Sequence, residues 1–78
     1  MSCENSAEVQ RERLLDALHR GAVTTIQARR DLDIMMPAAR VHELRHRDGY
    51  AIDTVWCIEP TDSGALHRVA RYVLRARA

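Results

Sequence analysis

A cluster rich in turn formers, Glu59-Pro60-Thr61-Asp62-Ser63-Gly64, lies midway between two runs of strand formers in a chain of only 78 residues. Proline presets a turn dihedral, aspartate and serine bond their own backbone, and glycine accepts a positive φ. The run before it, Tyr50-Ala51-Ile52-Asp53-Thr54-Val55-Trp56-Cys57-Ile58, is rich in β-branched and aromatic residues, and Ile52, Trp56 and Ile58 share a parity. The run after it, Leu66 to Leu74, places Leu66, Ala70, Tyr72 and Leu74 on one parity, interrupted by Arg68. Val69, Tyr72 and Val73 would also suit a helical stripe, but period two fits the run better. A closing β-hairpin over 50–74 is therefore expected, and everything before Gly49 must supply what packs on it.

The preceding residues read as three helices. Ser6 is placed to cap a helix over 7–20, with Leu14, Leu15 and Leu18 as its apolar stripe. Glu8 and Glu12 suit its start and Arg20 its end, because the helix dipole favours acids first and bases last. Gly21 is expected to end it in the left-handed conformation. Ala22-Val23-Thr24 is too short to stand alone but long enough to pair at a sheet edge. Thr24 and Gln27 have capping-box spacing for a second helix over 25–31, with Ile26 and Ala28 on its buried side. Asp33-Ile34 reads as a turn. Pro37 suits the first position of a third helix over 37–48, stopped by Gly49, with Val41 and Leu44 facing inward. Met36, its cap residue, offers no polar side chain.

The element order is helix, short strand, helix, helix, strand, turn, strand. The fold class this order predicts is α+β: a winged helix-turn-helix, three helices on a small antiparallel sheet whose hairpin is the wing. The chain is short enough for one domain, expected over 7–75, between a flexible N-terminus at 1–6 and a tail at 76–78. With no Phe and 4% aromatic residues, the core must rest on aliphatic side chains, with Trp56 and Tyr72 as its large pieces.

Net charge is +1, so total charge argues neither for nor against nucleic acid, and arrangement must decide. Every basic residue is arginine, whose planar fork suits phosphate and guanine, and the last four, Arg68, Arg71, Arg75 and Arg77, have no acid among them. On the third helix, Ala39, Arg40, Glu43, His46 and Arg47 are assigned to the outward side, with Met36 just before them. In a helix-turn-helix that side enters the major groove. Arg40 would donate to guanine or phosphate. Glu43 would accept from cytosine or hold Arg40 or Arg47. Arg47 would reach phosphate, and Ala39 would admit a thymine methyl. The alternative is a solvated face with ordinary pairing, such as Glu43 with Arg47. Arg45 is expected to lay its stem along the core and reach an acid or carbonyl. Thr25 and Arg29 of the second helix are candidates for backbone phosphate, although Asp31 and Asp33 stand close by. On the wing, Arg68 and Arg71 face opposite ways in a strand, and Arg68, nearer the tip, is the phosphate candidate.

Catalysis finds little support. His42-Glu43-Leu44-Arg45-His46 has the spacing of a zinc-peptidase helix, but no third ligand accompanies it. No paired-carboxylate, phosphate-loop or Ser/His/Asp arrangement is present. No metal or cofactor is expected, and the function should be non-enzymatic. Cys3 and Cys57 are expected to be free thiols rather than a staple. No signal peptide and no apolar run long enough for a bilayer is present, which suits a cytoplasmic protein without membrane attachment.

The run Leu14-Leu15-Asp16-Ala17-Leu18, Gly21 to Ala28, Leu32-Asp33-Ile34, Ala38 to Arg45 and Gly49 to Thr54 resembles the small winged helix-turn-helix domains of bacteriophages and prophages. The resemblance rests on Ala39-Arg40-Val41, Leu44-Arg45, Gly49 and Ile52-Asp53-Thr54, with Val69 to Leu74 similar to the return strand. It covers about residues 13–74. Met35-Met36 departs from the polar cap more usual before the third helix. The resemblance implies double-stranded DNA as partner and transcription regulation of a phage or bacterial type, with a homodimer or cooperative assembly supplying affinity. A non-catalytic protein-interaction module on the same scaffold is the alternative. An exposed apolar face on the first helix or around Trp56 would favour it. A basic stripe joining Arg40, Arg47 and Arg68 would favour DNA.

Overall fold

The computed structural model describes residues 5–77. Its elements are α1 (Ala7–Arg20), β1 (Val23–Thr24), α2 (Thr25–Asp31), α3 (Pro37–His46), β2 (Tyr50–Pro60) and β3 (Leu66–Arg77). Three helices pack on a three-stranded antiparallel sheet of order β1-β3-β2, the arrangement of a winged helix-turn-helix.

Local chemistry accounts for the helix starts. Ser6 Oγ accepts from Val9 N at 3.2 Å, satisfying one of the free donors of the first turn of α1. Thr24 Oγ1 accepts from Gln27 N at 3.1 Å while Gln27 Oε1 accepts from Thr24 N at 2.9 Å, a complete capping box. Thr24 also belongs to β1, so one residue ends the edge strand and begins α2. Met36 makes no side-chain cap, and Pro37 opens α3 without needing its missing N–H bonded.

The helix ends depart in part from expectation. Gly21 is extended rather than left-handed, at φ 163°, and its N–H closes on Ala17 O at 3.1 Å. Between α2 and α3 Asp33 takes the left-handed conformation, at φ 54°, and Ile34 N donates to Ala28 O at 3.0 Å as its side chain enters the core. α3 stops two residues short of the expected 48, because Arg47 N and Asp48 N both turn onto Glu43 O and Gly49 follows at φ 78°. The hairpin outruns the expected 50–74. β3 continues to Arg77, opposite Tyr50, so most of the expected tail at 76–78 is strand. Of the flexible start expected at 1–6, residues 1–4, and with them Cys3, lie outside the described residues. Asn5 is held, donating from Nδ2 to Asp33 O at 2.9 Å and accepting from Arg13. Cys57 is a free thiol.

The core joins Leu14 and Leu18 of α1, Val23, Ala28, Ile34, Val41 and Leu44 of α3, and Ile52, Ala70 and Tyr72 of the sheet. Tyr72 fills the large place expected of it, but Trp56 does not and is 56% exposed. As their shared parity predicts, Ile52, Trp56 and Ile58 share the face of the sheet that carries Ala70 and Tyr72. Only Ile52 lies over the helices. Trp56 and Ile58, farther along the same face, and Leu66 are left in solvent. No helix among the described residues is long and apolar enough to cross a membrane.

Candidate nucleic-acid interface

The side of α3 turned to the core is defined by Pro37, Val41 and Leu44, all buried. Helical geometry advances about 100° per residue, so Arg40 stands only about 40° from Leu44, and His42 and His46 point well away. The structure follows that arithmetic. Arg40 is 18% exposed and lies on the flank facing α1 rather than on the outward side to which it was assigned. Its Nε lies 3.0 Å from Glu43 Oε1, an ion-pair contact without hydrogen-bond alignment. Arg11 of α1, 12% exposed, donates from Nη1 to the same oxygen at 3.0 Å. Two guanidiniums thus share one carboxylate between α1 and α3, and Glu43 (30% exposed) is turned into that cluster.

The opposite flank is pinned by Arg45, as its place beside the core predicts. Its Nε donates to Ile52 O at 2.8 Å and its Nη2 to Thr54 Oγ1 at 2.7 Å. Ile52 lies in β2, an edge strand, so Arg45 ties α3 to the edge of the sheet. Between the two pinned flanks lie His42 and His46, both exposed, their ring centroids 4.4 Å apart, with half-buried Ala39 beside them. Arg47 is exposed at the C-cap. His42 was not among the residues assigned to the outward side, although the same angular projection separates it from Val41 and Leu44.

The remaining candidates are dispersed around this face. Met36 is exposed at the start of α3. Arg29 is exposed on α2 and donates from Nε to Met35 O at 3.2 Å, tying α2 to the turn before α3. Arg30 pairs with Asp31 at 3.1 Å, and that hydrogen bond and charge raise its pKa further. Thr25 is half-buried, its hydroxyl 3.4 Å from Ala70 O. Arg68 and Arg71 face opposite sides of the hairpin, and Arg68 lies over Trp56 with its Cζ 4.6 Å from the ring centroid. The basic stripe of Arg40, Arg47 and Arg68 that would favour DNA does not form, because Arg40 lies in the α1–α3 cluster.

The zinc-peptidase spacing also resolves here. Glu43 lies between the two histidines in sequence, but its carboxylate is held by Arg11 and Arg40. Among the described residues no group of three or more histidine, cysteine and carboxylate side chains gathers to hold a metal.

A family model described as winged helix-turn-helix domain matches residues 9–77. The chain belongs to that family. In this winged helix-turn-helix domain, α2, the turn around Asp33 and α3 are the helix-turn-helix, and β2 and β3 are the wing. The family is a non-catalytic DNA-binding module. No curated protein and no solved structure matches the chain.

Proposed function

We propose that this domain binds double-stranded DNA, with α3 in the major groove, as a phage-type or bacterial transcriptional regulator acting in the cytoplasm. The observation that carries the reading is the state of α3. Both flanks are anchored, by Glu43 with Arg11 and Arg40 and by Arg45 with β2, while the face between them is left to solvent without an unpaired carboxylate. A helix held rigidly on both sides and bare in front is suited to enter a groove.

In this reading His42, His46 and Ala39 meet base edges, with Met36 at the helix start. Arg47 and Arg29 reach phosphate on either side, Thr25 offers a weaker contact from α2, and Arg68 reaches phosphate from the wing. Arg40 and Glu43 set the position of α3 and need not touch a base. One domain offers little surface, so a homodimer or cooperative assembly raises affinity.

A duplex selection with the purified protein, followed by salt titration, tests the proposal. The expected result is an enriched sequence and an affinity that falls linearly with salt on logarithmic axes. Failure to bind any duplex at low salt overturns it. The second reading, a non-catalytic protein-interaction module, draws on the exposed Met35, Met36, Trp56, Ile58 and Leu66. It predicts a partner protein competing at these residues and no duplex enrichment.

A further inference from the structure

The register of the hairpin sorts its charges by face. Trp56 stands opposite Ala70, and Ile58 opposite Arg68, so these four share one face. Asp53 and Glu59 lie on the other face, opposite Val73 and His67, and Asp62 is in the tip turn. The Trp56 face of the wing therefore holds a cation and an exposed indole, and no acid.

The local packing keeps that indole available. Ala70 is small and buried, so the ring has little to stand against directly across the strands and leans diagonally toward Arg68. Arg68 lies over the ring at 4.6 Å, yet Trp56 remains 56% exposed. Burying an indole in the core would remove far more apolar area from water. Here the ring is exposed on the sheet face shared with Thr54, which Arg45 of α3 reaches.

We infer that Trp56 and Arg68 form a stacking platform for an unpaired nucleobase, so that the wing takes single-stranded DNA beside the duplex held by α3. Every base has a π-face, and an aromatic ring with a neighbouring guanidinium offers stacking together with attraction for the adjoining phosphate. The absence of acids on this face of the hairpin is the charge complement such a strand needs. The inference rests on the duplex reading for α3, but the platform can be tested without it.

Trp56 is the only tryptophan in the chain, so intrinsic fluorescence reports on this site alone. Three probes are compared at low salt: a blunt mixed-sequence duplex, the same duplex with a single-stranded extension, and oligothymidylate. The extended duplex is expected to bind about tenfold tighter than the blunt one by anisotropy, as expected for one stacked base. Trp56 emission should be quenched by the extended duplex and by oligothymidylate, and clearly less by the blunt duplex, which meets Arg68 but offers no base to stack. Trp56→Ala should abolish the gain from the extension while leaving blunt-duplex binding intact, and Trp56→Phe, which keeps a ring, should retain part of the gain.

Equal affinity for blunt and extended duplex, unchanged emission with oligothymidylate, or a gain that survives Trp56→Ala overturns the platform. A blue shift of Trp56 emission that grows with protein concentration in the absence of DNA also overturns it, assigning the face to a second copy of the chain. Quenching by oligothymidylate without binding of any blunt duplex supports the platform and sinks the duplex reading instead.

Discussion

Arg11 of α1 donates to Glu43 of α3 at 3.0 Å, across 32 positions of sequence. Glu43 also meets Arg40, so its carboxylate balances two guanidiniums in a partly buried seam. Removing the acid leaves two cations facing each other, whereas removing Arg11 leaves a pair. Arg11→Ala is expected to lower the unfolding free energy by roughly 1–2 kcal/mol, the range of a charged hydrogen bond discounted for solvent access. Glu43→Ala should cost more than Arg11→Ala. Urea denaturation of both single variants and the double variant measures the coupling, and additive effects would show that the contact contributes nothing.

Arg47 and Arg68 are exposed cations at the end of α3 and on the wing. If each neutralises one phosphate, Arg47→Ala and Arg68→Ala should each weaken all duplexes similarly and reduce the logarithmic salt slope by about one. Salt titrations of the variants on selected and unrelated duplexes check this. A loss confined to the selected sequence would instead make the residue a base reader.

His42 and His46 occupy the face of α3 between its two anchored flanks. Their joint replacement by alanine should relax sequence preference and leave the salt slope unchanged, since base contacts carry specificity and phosphate contacts carry charge. A loss of about tenfold or more on the selected duplex is expected, in line with about 1–3 kcal/mol per good base contact. Repeating the duplex selection with the double variant provides the comparison; an unchanged enriched sequence would exclude both side chains from base reading.

Thr24 begins α2 with a two-way capping box while its backbone pairs with β3 opposite Arg71. Thr24→Ala should cost about 1 kcal/mol, equivalent to roughly 4–8 °C in Tm for a domain of this size, and Thr24→Ser should restore most of it. Thermal unfolding by circular dichroism reads both. Equal losses in the two variants would place the effect in the threonine methyl and not in the cap.

Features with local causes were legible in the sequence. The caps at Ser6 and Thr24, proline at the start of α3, the turn at Asp33 and the hairpin turn at 59–64 each depend on a few neighbouring residues. Those residues bond their own backbone, so their spacing alone predicts the geometry. The fold class followed from the order of these elements.

Tertiary structure decided what each face meets. Periodicity places Trp56 and Ile52 on one side of the sheet, but only the tertiary packing determines that Ile52 is covered and Trp56 is not. The sequence of α3 contains Arg40 and Glu43 as a pair, and the helical advance already sets Arg40 near Leu44, but only the approach of α1 brings Arg11 to the same oxygen. Burial and charge pairing depend on groups distant in sequence, whereas alternation and capping do not. That difference separates what this sequence determined by itself from what its fold had to supply.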